Sequence, residues 1–135
     1  MPEKVFLGEY SSLEKISEFI KEHAYACGLD ERATYAVQLA VDEACSNIIE
    51  HAYGGEGIGE IECICNILDD GLEVILKDDG KPFDPEDVKE VQVGVPLEEL
   101  GERGAGIYLI NQLMDEVNFK FSNKGGTTLT LKKNK

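Results

Sequence analysis

Hydrophobic positions along the chain recur with two different periods, and the change from one to the other organises it. Val5-Phe6-Leu7 is a short apolar run that predicts a first strand. From Ser11 the spacing turns helical, with Ile16, Phe19, Ile20 and Ala24 on one face before Gly28 stops the run. Ser11 with Glu14 three residues later reads as a capping box. A second helix is predicted from Asp30, a good N-cap, to about Tyr53, where Gly54-Gly55 ends it. Its apolar stripe is Ala33, Val37, Ala40, Val41, Ala44, Ile48 and Ala52.

From about Glu60 the period becomes two. Ile61, Cys63, Cys65 and Ile67 share one strand face, Asp69-Asp70-Gly71 makes a hairpin turn, and Leu72–Leu76 is the partner strand. A stretch rich in Pro and Gly, roughly 79 to 104, has no sustained period; loops of that length usually carry function. A third helix is predicted over about Ala105–Glu116, carrying Ile107, Leu109, Ile110, Leu113 and Met114. Strands Val117–Ser122 and Thr127–Lys132 follow, around Asn123-Lys124-Gly125-Gly126. The order β-α-α-β-β-loop-α-β-β predicts one domain over residues 1–135, an α/β (α+β) two-layer sandwich rather than a doubly wound parallel sheet.

Composition narrows the function classes. The 135 residues hold 27 acidic and 13 basic side chains, a formal charge of −14, which argues against a direct nucleic-acid binder. Residues 118–135 are the exception, with five lysines and no acid. No apolar run has the length of a membrane span, and MPEKVFLGEY has no signal-peptide pattern, so the expectation is a cytoplasmic protein with no membrane partner. The cysteines, Cys27, Cys45, Cys63 and Cys65, form no C-x-x-C and read as buried reduced thiols rather than a zinc site.

Four short constellations could carry chemistry. Glu43 and Asn47, four residues apart on the second helix, are neighbours on one shoulder of its stripe, and His51 continues the row. A carboxylate and an amide so placed can orient a hydroxyl and hold a divalent cation, though the same pair also fits a solvated helix edge. Asp78-Asp79-Gly80 follows a strand directly, where an acid can accept a hydrogen bond from a ligand amino group or simply make a turn. Gly101-Glu102-Arg103-Gly104-Ala105-Gly106 leads into the third helix, where free N–H groups suit an anion and Arg103 could reach a phosphate oxygen. Neither a dinucleotide-binding βαβ unit nor a Walker A sequence surrounds these glycines. Gly125-Gly126-Thr127-Thr128 precedes the last strand, as a plain hairpin also would.

Taken in order, VDEACSNIIEHAY, DDGKPFD, RGAGIYLINQLMDEV and GGTTLTL resemble the GHKL ATPase superfamily, from Val5 to Leu131, and within it the small anti-sigma-factor serine/threonine kinases of bacteria. The resemblance implies a Bergerat-type ATP-binding fold, a mixed and mostly antiparallel sheet covered on one face by about three helices. It implies ATP and Mg2+ as ligands, with Glu43 as general base and Asn47 as magnesium ligand. His51, Asp78, Gly80, Pro82, Gly101, Arg103, Gly104, Ala105, Gly106, Thr127 and Thr128 would then bind nucleotide. Asp78 would receive the adenine amino group, Gly104 and Gly106 would cradle phosphates, and 84–103 would be the ATP lid. Asp78-Asp79-Gly80-Lys81-Pro82 departs from the superfamily's Asp-x-Gly-x-Gly, its second glycine being proline, and is similar to the anti-sigma subgroup's variant.

On this resemblance the expected function is an ATP-dependent anti-sigma factor that sequesters a sigma factor and phosphorylates a Ser or Thr of a small antagonist protein, with a homodimer as the expected assembly. A nucleotide-gated binding module with little or no kinase activity is the alternative. A structural domain in which the glycines only make turns ranks third.

Overall fold

The computed structural model of the chain describes residues 2–81, 101–122 and 125–135. Its elements run β1 (Glu3–Leu7), α1 (Ser12–Ala26), α2 (Glu31–Asn47), a π-helical turn (Ile48–Ala52), β2 (Glu60–Leu68), β3 (Gly71–Asp78), α3 (Gly101–Leu113), β4 (Glu116–Phe121) and β5 (Thr127–Asn134). The sheet order is β1-β2-β3-β5-β4; the expected sheet was mixed and mostly antiparallel, and among the described residues all four pairings are antiparallel. With three helices beside it, this is the α+β two-layer sandwich that the sequence predicts.

Alternation decides which side of the sheet is covered. Cys63, Leu76 and Leu129 are cross-strand partners, as are Cys65, Val74 and Leu131, and all six are buried. Ile16 and Ile20 of α1, Val37 and Val41 of α2 and Ile110 of α3 join the same core cluster. Each such side chain contributes about 1.5–3 kcal/mol by leaving water. The opposite face is largely polar, with Glu62, Lys77, Thr128 and Lys120 paired in a row. The four cysteines are free and buried, and no cluster of metal-ligating side chains occurs among the described residues. No helix among the described residues is long and apolar enough to cross a membrane.

Helix ends account for most departures from the sequence prediction. Asp30 caps α2 as expected, its carboxylate accepting from the Ala33 N–H at 2.7 Å. The Ser11 capping box does not form. The chain is already turning at that point, with the N–H groups of Ser12 and Leu13 donating to the carbonyls of Glu9 and Tyr10. Ser11 is therefore helical (φ −64°, ψ −18°), and its hydroxyl donates to Glu9 at 3.1 Å. The second helix reaches the expected region, but its last turn widens, and the Tyr53 N–H donates to the Ile48 carbonyl five residues back. The third helix lies earlier than predicted. It includes Gly101–Gly104 and stops at Leu113, whose carbonyl accepts from Lys133 Nζ at 2.7 Å, while the Asp115 N–H is committed to the Lys132 carbonyl. β5 runs two residues beyond the predicted Lys132 because its pairing with β3 continues to Asn134 and Gly71.

Candidate functional site

Asn47 ends the regular part of α2 with its side chain turned inward, 5% exposed, and its amide nitrogen has no hydrogen-bond partner. Burying such a group unpaired costs on the order of 1–3 kcal/mol. One turn earlier lies Glu43. Both face Gly106 of α3: a Cβ at Gly106 would stand 2.9 Å from the Glu43 carboxylate and 3.2 Å from the Asn47 amide. Glycine at that position lets α3 close onto the pair. Gly106 thus acts inside the helix, not at its mouth as the sequence suggests, because the helix already includes Gly101.

The second part of the site lies where β3 ends. Asp78 and Thr127 are cross-strand partners on the covered face, 7% and 5% exposed. The Thr127 hydroxyl has no partner. Thr128, one residue on, pairs with Lys77 and Lys120 and points away from the helices, so Thr127 is the threonine on the site's side of the sheet. Asp78, Thr127 and Asn47 together line a small cavity with Ala44, Ile48, Ile110, Phe119 and Leu129. It encloses about 10 Å³, the room of one water.

Burial lifts the Asp78 carboxyl from 3.8 to about 6. The Gly80 N–H, donating to Asp78 Oδ1 at 2.9 Å, opposes that rise, and the Asp79 carboxylate adds to it. At neutral pH Asp78 is therefore mostly ionised, an acceptor at the edge of an apolar cavity. Gly80 itself is pressed against the widened turn of α2. A Cβ there would meet the Ala52 carbonyl oxygen at 2.5 Å and carbon at 2.6 Å, while the Lys81 N–H donates to that oxygen at 2.8 Å. On the other side, the Gly126 N–H donates to the Gly80 carbonyl at 2.8 Å. Gly126 has φ +91°, which a side chain would strain.

The remaining predicted residues divide plainly. Gly101, Arg103, Gly104 and Ala105 form the first turns of α3. His51 is not among the cavity's walls; it is half-buried, with Nε2 3.9 Å from the Glu50 carboxylate. Pro82 and lid residues 84–100 lie outside the described residues. Residues at the site that the sequence reading did not assign to it include Ala52, Tyr53 and Phe119, beside the apolar lining of the cavity. Ala52 stood on the apolar stripe and Phe119 in the inward alternation of β4, so each had a visible packing role and no sign of another.

An antiparallel sheet covered by three helices, with an acid and an amide of one helix closed over by a glycine of another and a buried aspartate at a strand end, is the arrangement expected of a GHKL-type domain. The chain matches the histidine kinase-like ATPase domain over residues 6–133, and it belongs to that family. It is similar to the serine-protein kinase RsbW of Bacillus cereus, 38% identical over 100 residues, 71% of this chain and 61% of that protein. RsbW of Bacillus thuringiensis subsp. konkukian matches to the same extent. The chain thus spans about three fifths of the length of these curated relatives.

Among solved structures it resembles that of the SiaB–SiaC complex from Pseudomonas aeruginosa, with a TM-score of 0.66 and 15% identity over 96% of this chain and 88% of the other. The RsbU and RsbW domains of a Mycobacterium tuberculosis protein give 0.63 and 17% over 99% of this chain and 32% of the other. At these identities the likeness is one of fold.

Proposed function

We propose that this chain binds ATP with Mg2+ and transfers the γ-phosphoryl group to a serine or threonine hydroxyl of a small anti-sigma-factor antagonist, holding a sigma factor when the antagonist does not displace it. The observation that carries the reading is the closure of Gly106 onto Glu43 and Asn47. The kinase naming of the RsbW relatives supports the acceptor class. A cytoplasmic homodimer, as expected of the anti-sigma kinases, completes the proposal.

Asp78 would accept a hydrogen bond from the adenine amino group, with Gly80 allowing the ring to approach and Thr127 offering its unpartnered hydroxyl. The first turns of α3 would meet the phosphates with free N–H groups and the positive end of the helix dipole, and Arg103 would add charge. Asn47, beside Glu43 and facing Gly106, would hold magnesium through its side-chain oxygen, and the ion would supply neutralisation of triphosphate charge. Glu43 would take the proton of the acceptor hydroxyl as its oxygen bonds to the γ-phosphorus and the bond to the β-phosphate oxygen breaks, releasing ADP.

The test is transfer of radiolabelled γ-phosphate to small proteins that co-purify with the chain from its host. Glu43→Gln should lower transfer by about 10²-fold or more while nucleotide still binds. Unchanged transfer would remove Glu43 from the mechanism. Nucleotide binding without transfer to any co-purified protein would leave the gated binding module as the better account.

A further inference from the structure

Tyr53 ends the π-helical turn, and its phenol spans the distance from that turn to the Asp78–Gly80 segment. The hydroxyl donates to the Glu60 carbonyl at the start of β2 and accepts from the Asp79 N–H at 3.0 Å. Burial keeps it above its ordinary range, so it stays protonated and can do both. The ring lies against two glycines. A Cβ at Gly59 would stand 2.3 Å from a ring carbon, and one at Gly8 3.3 Å. A side chain at Gly59 would displace the ring.

The three successive N–H groups after Asp78 have three different partners. That of Gly80 goes to the Asp78 carboxylate, that of Lys81 to the Ala52 carbonyl, and that of Asp79 to Tyr53. The first bond aims the carboxylate and the second fixes the segment to the helix end. Tyr53 secures Asp79, the residue between Asp78 and Gly80, and it is the only one of the three partners that reaches in through a side chain from another element.

We propose that Tyr53 is a positioning residue for the base-recognition end of the site, fixing the Asp79 amide so that Asp78 and Gly80 keep the geometry that adenine requires. This rests on the nucleotide-binding reading above. Tyr53 need not touch the ligand. Its hydroxyl is committed to two backbone groups, and its effect is transmitted through the backbone of residues 78–80.

The variant is Tyr53→Phe, which keeps the ring between Gly8 and Gly59 and removes the hydroxyl alone. Two measurements are made on the full chain: hydrogen exchange of the Asp79 amide without nucleotide, and calorimetric binding of ATP and of GTP with Mg2+. The expected result is faster Asp79 exchange, ATP affinity reduced about 5-fold, the worth of one lost hydrogen bond, and GTP affinity unchanged. Unaltered Asp79 exchange, or ATP binding equal to wild type, would overturn the proposal, and so would equal losses for ATP and GTP with a lowered melting temperature, which mark a general structural role. If wild type binds no ATP, the reading of the site fails and Tyr53 falls with it, an outcome distinct from the others.

Discussion

Asp78→Asn should make the ligand-free chain more stable while impairing nucleotide binding, and the size of the gain follows from one number. Burial raises the Asp78 carboxyl from 3.8 to about 6. A gap of about two pH units corresponds to about 3 kcal/mol, the cost to the folded chain of holding that group ionised. Below pH 3.8 the group is protonated in both states and costs nothing. Between 3.8 and about 6 the folded chain keeps a proton that the unfolded chain has released, so stability falls as pH rises. Above about 6 the cost is constant. Asparagine has nearly the same shape, carries no charge and can still accept from the Gly80 N–H.

Thermal melts without nucleotide test this at pH values above the sequence pI of about 4.4. At pH 7.5 the variant should gain up to about 3 kcal/mol, or about 10 °C for a chain of this size. At pH 5 about half of that should remain. Calorimetry with Mg2+ and ATP should show affinity at least about 10-fold lower, because an amide N–H₂ would face the base amino group where a carboxylate oxygen accepted from it. A variant less stable than wild type at pH 7.5 would refute the reasoning. So would a gain equal at both pH values, since ionisation would then not be its source.

Two further perturbations separate features that look alike in sequence. Asp30→Ala should cost about 1 kcal/mol in urea unfolding, because its side chain caps α2, whereas Ser11→Ala should cost less than about 0.5 kcal/mol, because its hydroxyl serves only Glu9. Gly80→Ala should cost about 1–3 kcal/mol and lower ATP affinity in calorimetry, since all three nearest atoms belong to Ala52 of the π-helical turn and none can rotate away.

Most of the architecture was legible because it depends on alternation, and alternation survives in a single sequence. Ile61, Cys63 and Cys65 occupy the covered face as their spacing predicts, and so do Leu72, Val74 and Leu76 opposite them. What failed was local and concerned the first and last turns of helices. Ser11 and Glu14 have the right identities for a capping box, but the Glu9 and Tyr10 carbonyls already accept from Ser12 and Leu13, so Ser11 is itself helical and lacks the extended backbone a cap requires. No composition rule reveals that competition, which depends on the angle at which β1 delivers the chain. The third helix was placed late for a different reason. Gly101 and Gly104 are poor helix formers, at about 1 kcal/mol each, and fall in the stretch that reads as a loop, yet the helix includes them.

The site was legible to the extent that each residue's role lies in its own functional group. Glu43, Asn47 and Asp78 carry groups that a nucleotide would use, and their helix or strand position could be deduced. Tyr53 and Ala52 act on Asp79, Gly80 and Lys81 through backbone, 26 to 29 residues away in sequence, so their contribution exists only once the widened turn brings the end of α2 against the end of β3. That turn is itself informative. An uninterrupted α-helix would pair the Tyr53 N–H with Ile49, whereas here it pairs with Ile48 and the Ile49 carbonyl accepts from Gly55 instead. The extra residue in the turn therefore changes which carbonyl serves which donor at the helix end, and the Ala52 carbonyl is left to receive Lys81. A mispairing in helical terms is what connects the two halves of the site, the acid and amide of α2 and the buried aspartate of β3.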